Sequence, residues 1–205
     1  MNTSLNELNI VIAGVGGQGN LLASEIISSA SVKEGFKVRV ADIFGAAQRG
    51  GAVTSHIRLG KEVYSPVLPQ GSAHILVGFE PVECLRAANF LRADCTAIVN
   101  TRPVVPSSVS LGRASYPTLE EITALLRKLV GKIVTLDAAI LARKAGDALM
   151  VNIVMVGALA GTGATPIRKE TFIQAIRDLV PRGTQESNLN AFNLGFQDVR
   201  EKMAE

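Results

Sequence analysis

The stretch from Asn9 to Leu22, NIVIAGVGGQGNLL, limits what this chain can fold into more than any other. A short apolar run, Ile10 to Ala13, breaks into Gly14, Gly16, Gly17 and Gly19, and an apolar-periodic segment begins near Asn20. This is the pattern of a strand, a glycine turn and a helix. Gly14, Gly16 and Gly19 fit the Gly-x-Gly-x-x-Gly spacing of a dinucleotide-binding turn. Such a turn lets a ligand's phosphates reach backbone N–H groups and lets the helix pack close to the strand. The helix N-terminus adds unsatisfied donors and a partial positive charge that suit an anion. The same glycines also serve a chain that only needs a tight strand-to-helix turn. Gln18 can hydrogen-bond a ligand or brace the loop, and spacing alone does not separate the two.

The next elements extend an α/β pattern. Leu22, Ala23, Ile26, Ile27 and Ala30 recur at helical spacing, and Gly35 stops the helix. Phe36 to Asp42 alternates as a strand, which predicts a βαβ unit. Asp42 then falls where a dinucleotide fold places its ribose-binding acid, although an Asp at a strand end is also an ordinary turn residue. The stretch IFGAAQRGGAVTSHIRLG brings Gln48 and Arg49 beside Gly50 and Gly51, immediately before a strand from Val53 to Leu59. A guanidinium next to close-approach backbone suits a carboxylate, a phosphate or a partner's acidic edge. His56 alternates onto the opposite face from Val53 and Ile57 and reads as a half-exposed strand residue rather than a general base. Gly60 and Lys61 predict a turn into a short antiparallel partner strand, Glu62 to Ser65.

Ala73 to Phe79 is nearly all apolar, as a central parallel strand covered on both faces should be. Glu80 follows at its carboxyl end, where open α/β sheets hold their ligand crevice, and Pro81 opens a helix with Val82, Leu85 and Leu91 inward. An acid there also complements a helix dipole. Cys95 to Asn100 repeats the design, with Asn100 at the strand end. The proline-bearing segment from Thr101 to Pro117 reads as a surface loop. Thr118 and Glu121 form a capping box for a helix, and Ile133 to Leu136 is a further strand. Asp137 leads into a short helix ending near Gly146. Leu149 to Leu159 is apolar all round except for Asn152, so it is buried in the core or between subunits, and the Asn152 amide marks an interface or site position. Two amphipathic helices close the chain.

Composition narrows the function class. The 205 residues suffice for a single α/β domain, and only 19% are charged against about 25% in typical proteins, which favours a partner-covered surface. The formal charge is +3 with no basic cluster, which argues against nucleic acid. The first residues lack a signal peptide's basic and apolar regions, and the longest apolar stretch is too short to span a bilayer, so the expectation is a cytoplasmic protein. Cys84 and Cys95 form no metal-binding spacing.

Six ordered segments carry a family resemblance: GVGGQGNLLAS, AQRGGAVTSHIRLG, LVGFEPVECLR, IVNTRPVVP, MVNIVMVGALA and NLNAFNLGF. Together they resemble the gamma-type domain of 2-oxoacid:ferredoxin oxidoreductases, from about Leu8 to Glu201. The QRGG form is most similar to the beta subunits of the indolepyruvate-oxidising members. The resemblance implies a single Rossmann-like domain over 1–205, with a mostly parallel sheet and helices on both faces. It implies a subunit of an enzyme that oxidatively decarboxylates 2-oxoacids, here arylpyruvates, to acyl-coenzyme A and passes electrons to ferredoxin. Thiamine diphosphate, magnesium and iron–sulfur clusters would reside on a large alpha subunit, with coenzyme A as co-substrate and no cofactor held firmly by this chain. Gly14, Gly16, Gly17, Gln18 and Gly19 match the family's glycine turn. Gln48, Arg49, Gly50 and Gly51 match its second loop, and both are assigned to a subunit interface near the active site and to coenzyme A contact. Glu80, Asn100 and Asn152 join them as site candidates; no catalytic residue is identified. Phe44 departs from relatives that often carry His before the glycine, which speaks against an acid–base role for this loop. The competing readings are a self-contained NAD(P)-dependent reductase using the Gly14–Gly19 turn and Asp42, and a structural interaction module. A lone reductase needs a proton donor near substrate, and His56, His74 and the scattered lysines form no constellation with the turn.

Overall fold

The computed structural model describes residues 6–47 and 50–204. A six-stranded sheet runs in the order β2-β3-β1-β4-β5-β6, built from β1 (Glu7–Val15), β2 (Lys37–Phe44), β3 (Ala52–Gly60), β4 (Ala73–Gly78), β5 (Leu91–Asn100) and β6 (Lys132–Leu136). Strands β1, β4, β5 and β6 pair in parallel, and β3 pairs antiparallel with both β1 and β2. The sheet is therefore mostly parallel, as the long apolar runs predict.

The predicted βαβ unit is split. Helix α1 (Asn20–Lys33) connects β1 to β2, but β3 lies between the two strands. Ile57 and Leu59 of β3 are fully buried beside Ile10 and Leu8 of β1, and this long-range burial decides the strand order. The residues from Glu62 to Ser65 form no strand, contrary to the turn reading at Gly60; they begin a loop that runs to β4.

Even-numbered residues of β1 face one layer of helices and odd-numbered residues the other. Ile10 and Ile12 pack with α1, α5 (Ala138–Ala145), α6 (Val151–Gly161), α7 (Lys169–Leu179) and α8 (Gln185–Ala204). Val11 and Ala13 pack with Cys84 of α2 (Pro81–Arg86) and with Ile122 and Leu126 of α4 (Leu119–Arg127). Leu91, expected on the helix after Pro81, instead opens β5. The loop from Thr101 to Pro117 contains one short helix, α3 (Ser107–Ser110).

Local chemistry accounts for the element ends. Thr118 Oγ1 accepts the Glu121 N–H at 3.2 Å while the Glu121 carboxylate accepts the Thr118 N–H at 2.8 Å, completing the predicted capping box. Asp137 Oδ1 accepts the Ile140 N–H at 3.0 Å and starts α5. The apolar helix α6 is a core helix, so the subunit-contact alternative for it falls away. Gly157 and Gly195 let α6 and α8 meet at backbone distance: a Cβ on either would stand 2.0 Å from a carbonyl oxygen of the other helix. No helix among the described residues is long and apolar enough to cross a membrane.

Candidate functional site

The carboxyl ends of β1, β4 and β5 converge at one edge of the sheet. From β1 the chain returns through α1 toward the β2 side, and from β4 it proceeds toward β5, so the crevice between β1 and β4 is a topological switch point. The glycine turn sits over it. Gly19 has φ +79°, a left-handed conformation, and a Cβ there would lie 2.6 Å from Asn152 Nδ2. Gly14 is required for another reason: a Cβ would lie 2.7 Å from Gln18 Oε1.

Gln18 braces this turn. Its Oε1 accepts the Val15 N–H at 2.9 Å, and its Nε2 donates to the Phe79 carbonyl at 3.1 Å, closing the crevice between the first and fourth strands. Asn100 Nδ2 donates to the same carbonyl at 3.0 Å, and Asn100 Oδ1 accepts the Ala138 N–H at 3.1 Å at the start of α5. Both amides are consumed in holding strand ends together.

Glu80 is 1% exposed and also works internally. Oε2 caps α2 through the Glu83 N–H at 3.0 Å, while Oε1 accepts the Val104 N–H at 3.2 Å and the Tyr116 hydroxyl. The helix-cap alternative for Glu80 is thus the one realised. Burial pushes the Tyr116 phenol and the Glu83 carboxyl above their ordinary ranges. Asn152 is buried in the first turn of α6, where its Oδ1 accepts the Ile153 N–H at 2.9 Å and its amide rests against Gly19.

The second loop reaches the turn through backbone. Gly16 N–H donates to Gly51 O at 2.8 Å, and Gly50 N–H donates to Gly16 O at 3.2 Å. These bonds extend the β1–β3 ladder by one step. Gln48 and Arg49 lie outside the described residues. Between turn and loop opens a cleft of about 660 Å³, lined by Gly16, Gly17, Gly19, Leu21, Phe44 and Ala47 among others. Phe44 and Leu21 are 60% and 49% exposed and form apolar walls. The floor is the start of α1, which has no side-chain cap. Among the described residues, the N–H groups of Gly17 and Gly19 have no protein acceptor. An apolar slot floored by free N–H donors can take an elongated ligand bearing an anionic group.

One expectation needs correction, and one open alternative is narrowed. His56 is fully buried, not half-exposed: Nδ1 accepts the Leu68 N–H at 3.1 Å and the ring meets Phe90 edge-on at 4.6 Å. The segment after β3 covers this face, and burial holds the imidazole below its ordinary range. Asp42 is removed from the turn by the inserted β3, two strand spacings or about 10 Å from β1. Its Oδ1 accepts the Ser55 hydroxyl at 2.5 Å, which disfavours the ribose-binding role.

Sequence reasoning missed Arg102. It lines a second cleft of about 210 Å³ with Gly17, Gln18, Asn100 and Leu149. Its position two residues past a parallel strand's carboxyl end was the available signal.

Fold and edge together define a Rossmann-like chain whose polar site residues are committed to holding strand ends, beside a cleft made of backbone donors and apolar walls. The chain belongs to the pyruvate ferredoxin/flavodoxin oxidoreductase family, whose model matches residues 9–198. It is 40% identical over 200 residues to indolepyruvate oxidoreductase subunit IorB of Thermococcus kodakarensis, covering 97% of this chain and 99% of that protein. Its fold is similar to the keto/oxoacid ferredoxin oxidoreductase gamma subunit of Geobacter sulfurreducens, with TM-score 0.68 and 22% identity, covering 94% of this chain and 98% of the other. It is also similar to part of the 2-oxoglutarate:ferredoxin oxidoreductase of Magnetococcus marinus, with TM-score 0.72 and 17% identity, covering 96% of this chain and 31% of that one.

Proposed function

We propose that this chain acts as one domain over 1–205, the small subunit of a cytoplasmic indolepyruvate-type 2-oxoacid:ferredoxin oxidoreductase. The complex oxidatively decarboxylates arylpyruvates to acyl-coenzyme A and passes the electrons to ferredoxin. The observation that carries this reading is the edge just described, in which Gln18, Asn100 and Glu80 are spent on structure. What remains outward is a cleft suited to binding and docking. Among the described residues lining it there is no proton donor of the kind a self-contained reductase needs, and Asp42 is engaged by Ser55.

The donor set of this chain does not fit an iron–sulfur cluster. Cys84 and Cys95 are both buried, and burial pushes their thiols up, that of Cys95 to about 12. Among the described residues, no three His, Cys, Asp or Glu side chains group to hold a metal. In this proposal thiamine diphosphate, magnesium and the clusters sit on the large alpha subunit, as the family resemblance implies. The free N–H groups of Gly17 and Gly19, with the Phe44 wall, are assigned to coenzyme A contact. Gly50, Gly51, Gln48 and Arg49 complete the subunit interface beside that cleft, and buried Asn152 supports it from beneath through Gly19.

The test is anaerobic, coenzyme A-dependent reduction of a viologen dye by indolepyruvate, with this chain alone and with its large subunit. Activity only in the pair is expected. No activity in the pair, with nicotinamide turnover by this chain alone, would replace this reading with the reductase. Arg49→Ala should lower turnover of the assembled complex without unfolding the subunit; full turnover would leave that loop as packing.

A further inference from the structure

We propose that the second cleft anchors the large subunit, with Arg102 receiving a carboxylate of that subunit and Leu149 supplying the apolar contact beside it. The inference rests on the subunit reading above and adds the place and chemistry of the contact.

Arg102 is held ready by its neighbours. Its Nε donates to Asp137 Oδ2 at 2.8 Å, and Asp137 is itself fixed by capping α5 through Oδ1. Asn100 Oδ1 accepts the Arg102 N–H at 3.4 Å and so secures the backbone. The guanidinium is thus bound along one edge. Among the described residues its two terminal amino groups have no acceptor, and the side chain is 53% exposed. A planar fork of free donors, pre-set by a fixed acid, matches a carboxylate bidentately.

The surroundings are those of a protein contact. Leu149 is 81% exposed, more than any other large hydrophobic side chain among the described residues. It is not on a loose loop: the Asp147 carboxylate accepts its N–H at 2.9 Å. Val104, 40% exposed, shares the cleft, and Ile140, also 40% exposed, lies in the first turn of α5. Arginine is among the residues that dominate interface energetics, and exposed apolar side chains beside it supply area a partner can take out of water.

Position favours the large subunit as the occupant. Gly17 lines both clefts, so this patch continues the proposed active-site edge across the glycine turn. A partner that covers one cleft lies against the other. The incoming segment must bring a carboxylate to Arg102 and an apolar side chain against Leu149.

The experiment is anaerobic assembly of the full chain with its large subunit, read as a dissociation constant by light scattering after size-exclusion chromatography. Arg102→Gln and Leu149→Asp are compared with Val32→Asp, which alters a 59% exposed side chain at the far end of α1. Circular dichroism checks that each variant folds. Arg102→Gln and Leu149→Asp are each expected to weaken assembly by about thirty-fold or more, as hot-spot positions do, while Val32→Asp assembles like wild type. Folded variants that assemble like wild type would overturn the anchor alone. Normal assembly with a raised KM for coenzyme A in Arg102→Gln would overturn it in favour of a ligand phosphate at Arg102. A wild-type chain that fails to assemble would overturn the subunit reading and the anchor with it.

Discussion

The contact between Gly19 and Asn152 joins the glycine turn to the core helix α6, and a double-mutant cycle measures it. Gly19→Ala acts in two ways. At φ +79° a Cβ costs about 1–2 kcal/mol in backbone strain. That Cβ would also lie 2.6 Å from Asn152 Nδ2 and 2.9 Å from its Cγ, so the buried amide must move, an overpacking cost of about 1–3 kcal/mol. The single variant is expected to lose about 2–5 kcal/mol by adding the two. At roughly 2–4 °C per kcal/mol for a chain of this size, Tm falls by roughly 4–20 °C. In an Asn152→Ala background the amide is gone and only its Cβ remains, at 3.1 Å, so Gly19→Ala should cost little beyond the strain. The double variant is therefore more stable than the sum of the singles by about 1–3 kcal/mol. Urea denaturation of the four proteins measures this coupling. Additivity within about 0.5 kcal/mol would refute the contact and the argument that Asn152 shapes the turn.

Two further outcomes follow from buried groups. Gly195→Ala would place a Cβ 2.0 Å from Val154 O and force α6 and α8 apart; a loss of about 3 kcal/mol is expected in chemical denaturation, and an unchanged midpoint would contradict the close approach. His56 and His74 both have imidazoles held below the ordinary range, chiefly by burial. The unfolded chain therefore takes up protons below about pH 6.5 that the folded chain refuses, so stability should be flat above about pH 7 and fall as the pH drops below about 6.5. His56→Asn keeps an acceptor for the Leu68 N–H and should flatten that slope by up to about 1.4 kcal/mol per pH unit; an unaltered slope would show that His56 does not titrate there.

The sequence by itself determined the local events. Strand, glycine turn and helix at residues 9–33, the Thr118–Glu121 capping box, the Asp137 cap and the burial of the apolar helix after Leu149 were legible. Each depends on residues a few positions apart. That Gly14 to Gly19, Glu80 and Asn100 lie near one another was legible, because the carboxyl ends of parallel strands converge in this class of sheet, while Asn152 stood out only as a buried amide in an apolar helix. Their roles were not. Whether Gln18 faces a ligand or braces the turn depends on the carbonyl of Phe79, far away in sequence, and Glu80 likewise depends on Val104 and Tyr116. The tertiary structure also decided that β3 lies between β1 and β2, that the segment after β3 covers His56, and that Arg102 and Leu149 line one cleft. The physical reason is one of range. Caps, turns and periodicity are fixed by short-range sterics and hydrogen bonds, whereas strand order and the partners of buried polar groups follow from burying distant apolar surfaces together.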